Sequence, residues 1–375
     1  MNNEQLSNPD LIPAGMMIPE NIIRPEIWLH LPRAVPFRAG MKYGRALTDI
    51  EAGEIMIIEG SFATALAFYS WLKKKTTYDF PVIDHTSSRK NRRVFAERAG
   101  RIMIRIENHR ADLEKAPQIP WLREFYPGEN PFFISLPDLL GMNGAWQWFA
   151  RGIKYTVLDH RIHPFYGVYF PVRTTHLTLL DRWLDANKGE FSHVTDIGTG
   201  CGILGFMALR HGAASVIATD INPNAVFSAS MDAVRMGLKE KFNAEQASLF
   251  GKSRLVMGDG RSLTLVNPPW IPGSPGSMID KGIYYEEGFF DLLISSAALN
   301  IEPGGLMAVL FSDYAVISGV CDADPVEKAV RENEGFSIEE KVTAKVKERP
   351  GKRSGTWINQ VRENETTCIW VLKRG

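Results

Sequence analysis

Residues 194–205 read VTDIGTGCGILG, so four glycines fall within residues 198–205 and Asp196 stands two places before the first of them. Glycine adopts left-handed backbone freely and lets a bound group approach without a Cβ in the way. Between a strand and a helix, such a loop suits a nucleotide or nucleoside ligand. Gly200-x-Gly202-x-x-Gly205 formally matches the dinucleotide fingerprint, a weak signal in isolation. Gly198 already occupies the place directly after the strand, so Asp196-x-Gly198-x-Gly200-x-Gly202 is the better register. Further on, SVIATD ends in Asp220. Its two carboxylate oxygens can accept two O–H donors, and it equally suits the N-cap of a helix beginning NPNAV. About 70 residues beyond the loop, LVNPPW supplies Asn267, Pro268, Pro269 and Trp270. The prolines stiffen the turn, the Asn267 side-chain oxygen and the Pro268 carbonyl are acceptors, and Trp270 can stack on a planar group or a developing cation. A lone N-P-P is a common turn. Behind a glycine loop and at a strand end, it is a candidate site.

These groups need a scaffold, and the bulk numbers provide for one. A chain of 375 residues with 45% hydrophobic residues is long enough for two domains and apolar enough for a real core. Lys+Arg and Asp+Glu are both 43, which argues against a surface built for long duplex nucleic acid. Cys201, Cys321 and Cys368 form no C-x-x-C pair, so neither a disulfide framework nor a zinc site is expected. No Asp, Glu or His cluster has metal-ligand spacing. The start of the sequence lacks a basic segment followed by an apolar run, and no stretch of about 18 apolar residues occurs. A soluble, cytoplasmic protein is expected.

Along the chain, residues 1–40 are proline-rich and read as an arm or irregular lead-in. Gly60–Lys75 and the charged stretch Arg89–Lys115 have helix-compatible patterns, and an apolar segment follows around Leu139–Phe149. IKYTVL (153–158) and FYGVYF (165–170) read as the two strands of a hairpin. After Pro171, LTLLDRWLDANKG reads as a helix, and from Val194 onward strands and helices alternate: VTDI, ILGFMALRHG, SVIATD, NAVFSASMDAVRMG, then Leu263–Val266, FFDLLISSAALN, GGLMAVLFS, FSIEEKVTAKV and TTCIWVLKR. Such alternation predicts a parallel sheet with crossover helices. The domains are placed at 1–150 and 151–375, joined by a β-hairpin at 153–170.

The D-x-G-x-G-x-G loop with Asp220 at the next strand end resembles the class I S-adenosylmethionine-dependent methyltransferases. The resemblance covers roughly residues 160–315, with late strands to 375, and implies a Rossmann-like seven-stranded α/β sheet with helices on both faces. A separate mixed N-terminal unit would recognise substrate or form a lid. By this resemblance Asp196, Gly198, Thr199, Gly200, Cys201 and Gly202 lie beneath the methionine part of S-adenosylmethionine, and Asp220 holds the ribose hydroxyls. Ile221 and Asn222 pack adenine, and Ser248 and Leu249 of ASLF (247–250) contact its edge, with Asp259 of MGD (257–259) as the alternative. Cys201 reads as a small packing residue.

N-P-P-W in turn resembles the N-P-P-Y/F/W motif of methyltransferases acting on planar nitrogens, among them the release-factor and ribosomal-protein glutamine N-methyltransferases. It implies that Asn267 and Pro268 accept the two N–H groups of a planar NH2, turning its lone pair toward the methyl donor, with Pro269 and Trp270 completing the site. Upstream, Pro171, Arg173 and Thr175 are similar to the glutamine methyltransferases' linking segment, and Arg173 and Thr175 are the candidate substrate contacts. The second proline of that pattern is missing, and His176 stands where a glutamate would be; it reads as a hydrogen-bonded helix-start residue ahead of a proton acceptor. Residues 272–288 suit a mobile lid. The basic stretch 89–93 reads as a solvated face, whereas 345–353, with Trp357 and Asn359 close by, suits an acidic substrate group. The expected reaction is N-methylation of a protein side chain or small metabolite. N-methylation of a nucleic-acid base, a non-methyl use of the donor such as cyclisation, a non-catalytic cofactor module and an NAD oxidoreductase are the alternatives.

Overall fold

The computed structural model describes residues 12–31, 33–252, 261–346 and 361–375. Two compact units result, one comprising Arg24–Gln147 and the other 12–23 with Trp148–Gly375. The segment 12–23, read from the sequence as part of the first domain, thus groups with the second.

In the first unit, β1 (Ile27–Trp28), β2 (Ala34–Phe37), β3 (Ile55–Ile58), β4 (Ile102–Glu107), β5 (Arg110–Ala111) and β6 (Phe132–Ser135) form one mixed sheet in the order β1-β6-β4-β3-β2, with β5 paired to β4. Helices α1 (Tyr43–Glu51), α2 (Phe62–Asp79), α3 (His85–Ala99) and α4 (Trp121–Phe125) accompany it, and α5 (Leu136–Arg151) runs across the division between the units. Ser61 caps α2 by accepting from the Thr64 N–H. The expected helical character of 89–115 holds only to Ala99. After Gly100, Ile102–Glu107 is a strand in which Ile102, Met103, Ile104 and Ile106 are buried and Arg105 and Glu107 face out.

In the second unit, β7 (Ile153–Lys154) and β8 (Arg161–Ile162) form a hairpin much shorter than the expected one. FYGVYF is not a strand. Its backbone groups bond to side chains of a distant helix instead of to a ladder. The Phe165 N–H donates to Ser228 Oγ, while the carbonyls of Tyr166 and Gly167 accept from the Asn224 and Asn222 amides. Then follow α6 (Thr175–Ala186), β9 (Phe191–Ile197), α7 (Ile203–Arg210), β10 (Ser215–Asp220), α8 (Pro223–Arg235), β11 (Phe242–Gln246) and β12 (Arg261–Val266). The short strands β13 (Ile271–Pro272) and β14 (Tyr284–Tyr285) pair with each other. The chain ends through α9 (Phe289–Asn300), β15 (Leu306–Ser312), α10 (Tyr314–Ile317), α11 (Pro325–Glu332), β16 (Phe336–Lys345) and β17 (Thr366–Arg374).

The sheet order is β11-β10-β9-β12-β15-β17-β16. The first five strands are parallel and β17 is antiparallel, inserted between β15 and β16. Numbered along the chain this is 3-2-1-4-5-7-6, the Rossmann-like sheet of class I methyltransferases. All seven residues of β15 are buried, as a strand covered on both faces must be. Met307, Val309 and Phe311 pack with Leu293, Ile294 and Ala297 of α9 and Val326 and Ala329 of α11, and α6 lies against β15 and β17 from the other side. The order reverses between β9 and β12, and a crevice opens at that switch point beyond their carboxyl ends.

Candidate active site

The glycine loop leaves β9 at Ile197 and enters α7 at Ile203. Gly198, Gly200 and Gly202 have φ of 67°, 52° and 84°, the left-handed region that L side chains rarely adopt. At Gly202 a Cβ would also stand 2.5 Å from the Phe206 ring. Asp196 folds this loop from behind. Its Oδ2 accepts from Thr199 Oγ1 at 2.6 Å and from the Gly205 N–H at 3.0 Å. It is fully buried, and burial pushes its pKa up to about 6 against those two bonds. Cys201 is buried, and burial pushes its thiol up to about 12, leaving no nucleophile at neutral pH.

Asp220 closes the loop from the neighbouring strand. Its Oδ2 accepts from the Gly200 N–H at 2.9 Å and its Oδ1 from the Asn222 N–H at 2.8 Å, while burial raises its pKa. The capping role weighed for Asp220 falls to Asn222, whose side chain accepts from the Asn224 N–H at the start of α8. The third strand ends at Gln246, so Ser248 and Leu249 lie in the loop after it. Leu249 has a φ of 55°, and its carbonyl accepts from Thr219 Oγ1 at 2.5 Å. Asp259 lies outside the described residues.

A cavity of about 420 Å³ occupies the crevice, within the usual size for small-molecule sites. Gly198, Thr199, Gly200, Cys201, Asp220, Ile221, Asn222, Ser248 and Leu249 line one part of it, and Asn267, Pro268 and Pro269, directly after β12, line another. Asp196 and Gly202 stay behind the wall, as does Trp270. Instead of facing the cavity, the Trp270 indole N–H donates to Asn267 Oδ1 at 3.1 Å and to the Leu310 carbonyl at 3.3 Å.

Two further segments complete the wall. Gly167 and Tyr169 come from the loop expected as a strand and Pro171 follows it, with Tyr155 Oη donating to the Pro171 carbonyl at 2.8 Å. At Gly200, a Cβ would come within 3.0 Å of the Tyr169 carbonyl, so this loop needs glycine opposite it. Met278, Ile279, Lys281, Tyr284, Glu286 and Glu287 come from the segment read as a lid. The ends of that segment are tied together: the Gly273 N–H donates to the Tyr285 carbonyl at 2.8 Å.

The upstream candidates lie elsewhere. Arg173 pairs with the buried Glu365 at 2.9 Å, and Glu365 also accepts from Ser312 Oγ. Thr175 opens α6. Neither lines the cavity. His176 is not the hydrogen-bonded helix-start residue expected: its Nε2 is buried with no partner among the described residues, and burial lowers its pKa to about 4. Its ring meets Trp270 edge-on, centroids 5.2 Å apart. Most of the basic stretch 345–353, with Trp357 and Asn359, lies outside the described residues. Among the described residues no group of three or more His, Cys, Asp or Glu is placed to hold a metal ion, and no helix is long and apolar enough to cross a membrane.

Residues 172–255 match the family model described as ribosomal protein L11 methyltransferase (PrmA). The match takes in the glycine loop, Asp220, Ser248 and Leu249, and it stops before Asn267. Among curated proteins, a ribosomal protein L11 methyltransferase of Symbiobacterium thermophilum is 39% identical over 103 residues, 27% of this chain and 33% of that protein. A putative protein N5-glutamine methyltransferase of Methanocaldococcus jannaschii is 28% identical over 160 residues, 40% of this chain and 75% of that protein. Of solved structures, a ribosomal protein L11 methylase from Lactobacillus delbrueckii subsp. bulgaricus aligns over 59% of this chain and 90% of its own, with 22% identity and a TM-score of 0.36. The chain spans a third or less of the length of the first curated relatives it matches.

Proposed function

We propose that this protein is an S-adenosylmethionine-dependent methyltransferase that methylates a planar nitrogen of a protein side chain. The observation carrying this reading is that one cavity is walled both by the glycine loop with Asp220 and by Asn267-Pro268-Pro269. The family match over 172–255 supports the donor, and the relatives named for methylating ribosomal protein L11 and protein glutamine support a protein acceptor.

The residues present fit the donor. Gly198 is exposed to the cavity, and a Cβ there would meet nothing within 4 Å, so its open side leaves room for a ligand. The Asp220 oxygens each hold one backbone N–H and each keep a further acceptor position for a ribose hydroxyl. Ile221 and Leu249 give apolar surface for a base, and Ser248 a polar edge. When bound, S-adenosylmethionine supplies an electrophilic methyl group on a sulfonium. The chain's own work is positioning. Asn267 Oδ1 and the Pro268 carbonyl accept the acceptor's N–H groups, holding the nitrogen in one orientation. Pro268 and Pro269 keep that turn stiff. Met278, Ile279 and Tyr284 add apolar surface to the cavity wall.

The test is incubation of the protein and methyl-labelled S-adenosylmethionine with extract of its source cells. The expected result is label in protease-sensitive macromolecules, with S-adenosylhomocysteine released in equal amount. Nuclease-sensitive label would replace the protein acceptor with a nucleic acid, and methylthioadenosine as product would overturn methyl transfer.

A further inference from the structure

We infer that Trp270 is a positioning residue: its indole N–H fixes which way the Asn267 side-chain amide faces, and His176 fixes the indole. This rests on the proposed role of Asn267 as acceptor of the substrate's N–H.

A side-chain amide turns broadly about its last torsion, and its two ends are chemically opposite, since the oxygen accepts and the nitrogen donates. Asn267 is half-buried at the end of β12. Reversing its amide would present N–H groups to an incoming N–H and block the site. Trp270 prevents this, because an indole nitrogen donates only and its partner at 3.1 Å must be Oδ1. Oδ1 keeps a second lone pair for the substrate. The same N–H reaches the Leu310 carbonyl on β15, so the donor is referenced to the rigid sheet as well as to its own turn.

The indole is held from two other directions. It packs against the core formed by α9, β15 and β17. On another side the His176 ring meets it at an interplanar angle of 84°, and His176 is only 3% exposed. A stacking role on a ligand in this cavity would need the Trp270 face in its wall, and among the described residues that line it Trp270 is not one. The two roles separate on one atom. A stacking residue tolerates loss of the N–H; a positioning residue does not.

The experiment replaces Trp270 site-specifically with benzothienylalanine, which keeps the two-ring shape and carries sulfur in place of N–H. Trp270→Phe serves as a second variant should the first misfold. Methyl transfer from labelled S-adenosylmethionine to the macromolecular fraction of source-cell extract is the activity readout. The expected result is a roughly five- to tenfold fall in turnover, the weight of about one hydrogen bond, with KM for S-adenosylmethionine unchanged and a lower Tm, since the Asn267 and Leu310 oxygens lose their donor. Unchanged turnover in both variants, or a rise in KM alone, overturns the proposal. A second readout needs no turnover: the Trp270 indole 15N–1H resonance should move on Asn267→Ala, and an unmoved resonance overturns the proposal too. Wild-type protein that transfers no methyl group would sink the proposed function, and the resonance would still decide the positioning role.

Discussion

Replacing Asp220 tests the donor site most directly, because its two oxygens already perform a measurable task without ligand. Oδ2 holds the Gly200 N–H and Oδ1 the Asn222 N–H, at 2.9 and 2.8 Å. Two added ribose hydroxyls would each form a bond to a charged acceptor worth about 1.5–3 kcal/mol. Much of the carboxylate's desolvation has already occurred, since burial raises its pKa before anything binds. Hydroxyls leaving water and the ordering of the ligand offset part of the gain. Asp220→Ala should therefore weaken binding by about 2 kcal/mol, or about 30-fold in Kd. The same change strands two backbone donors, at about 1–3 kcal/mol each, partly relieved by removing a buried charge, so Tm of the ligand-free protein should fall as well. Asp220→Asn keeps the size and one acceptor oxygen but turns an NH2 toward one backbone N–H, and its Kd should lie between the wild type and Asp220→Ala. The assay is calorimetric titration of S-adenosylhomocysteine, beside thermal unfolding without ligand. A folded Asp220→Ala protein with Kd within twofold of the wild type would refute the ribose contact. A lower Tm with unchanged Kd would reduce Asp220 to a tie between β10 and the loop.

Three other outcomes follow from the same geometry. Asn267→Ala should abolish turnover while leaving the calorimetric Kd for S-adenosylhomocysteine within about twofold; normal turnover would end the amide-clamp reading. Gly205→Ala places a Cβ 2.7 Å from Phe242, 3.0 Å from Val216 and 3.2 Å from Asp196 Oδ2, so overpacking should cost about 1–3 kcal/mol in a denaturant titration. His176 carries a pH signature. Its folded pKa of about 4 lies below the ordinary 6.5, so its stabilising contribution is complete above 6.5 and is lost as pH falls from 6.5 toward 4. At roughly 1.4 kcal/mol per pH unit, that is about 3 kcal/mol. Asp196, raised to about 6, works in the opposite sense, its protonation favouring the folded state between about 6 and 3.8. The two offset each other in the wild type. Relative to wild type, His176→Asn should therefore gain about 3 kcal/mol between pH 7 and pH 4, and a pH-independent difference would show that His176 titrates normally.

The glycine loop was legible as a loop because its signals are local. A left-handed φ is a property of one residue, and three alternating glycines behind a strand-compatible stretch ending in Asp196-Ile197 mark the loop without reference to anything distant. The parallel strands are legible for a similar reason, since burial on both faces writes runs such as LMAVLFS directly into the chain. Asp220 was harder, because Asp220 and Asn222 both suit a helix cap, and only the Asn222–Asn224 bond decides between them.

The rest of the cavity wall was less legible because its geometry is set by residues far away in the sequence. FYGVYF has the alternation of a strand, yet its carbonyls are claimed by Asn222 and Asn224, more than 50 residues later. A segment whose partners are side chains of a distant helix carries no periodic trace of them. Trp270 shows the same limit within a recognised motif. The spacing of N-P-P-W places an indole beside an amide but does not say whether its face or its N–H is used. That depends on Leu310 in the next strand and His176 on α6, two groups that meet only when β12, β15 and α6 are assembled. The motif therefore supplies the amide and the indole, and the assembled sheet sets how they face each other. Residues that tune the reaction should then be sought among the packing neighbours of the motif as well as within it.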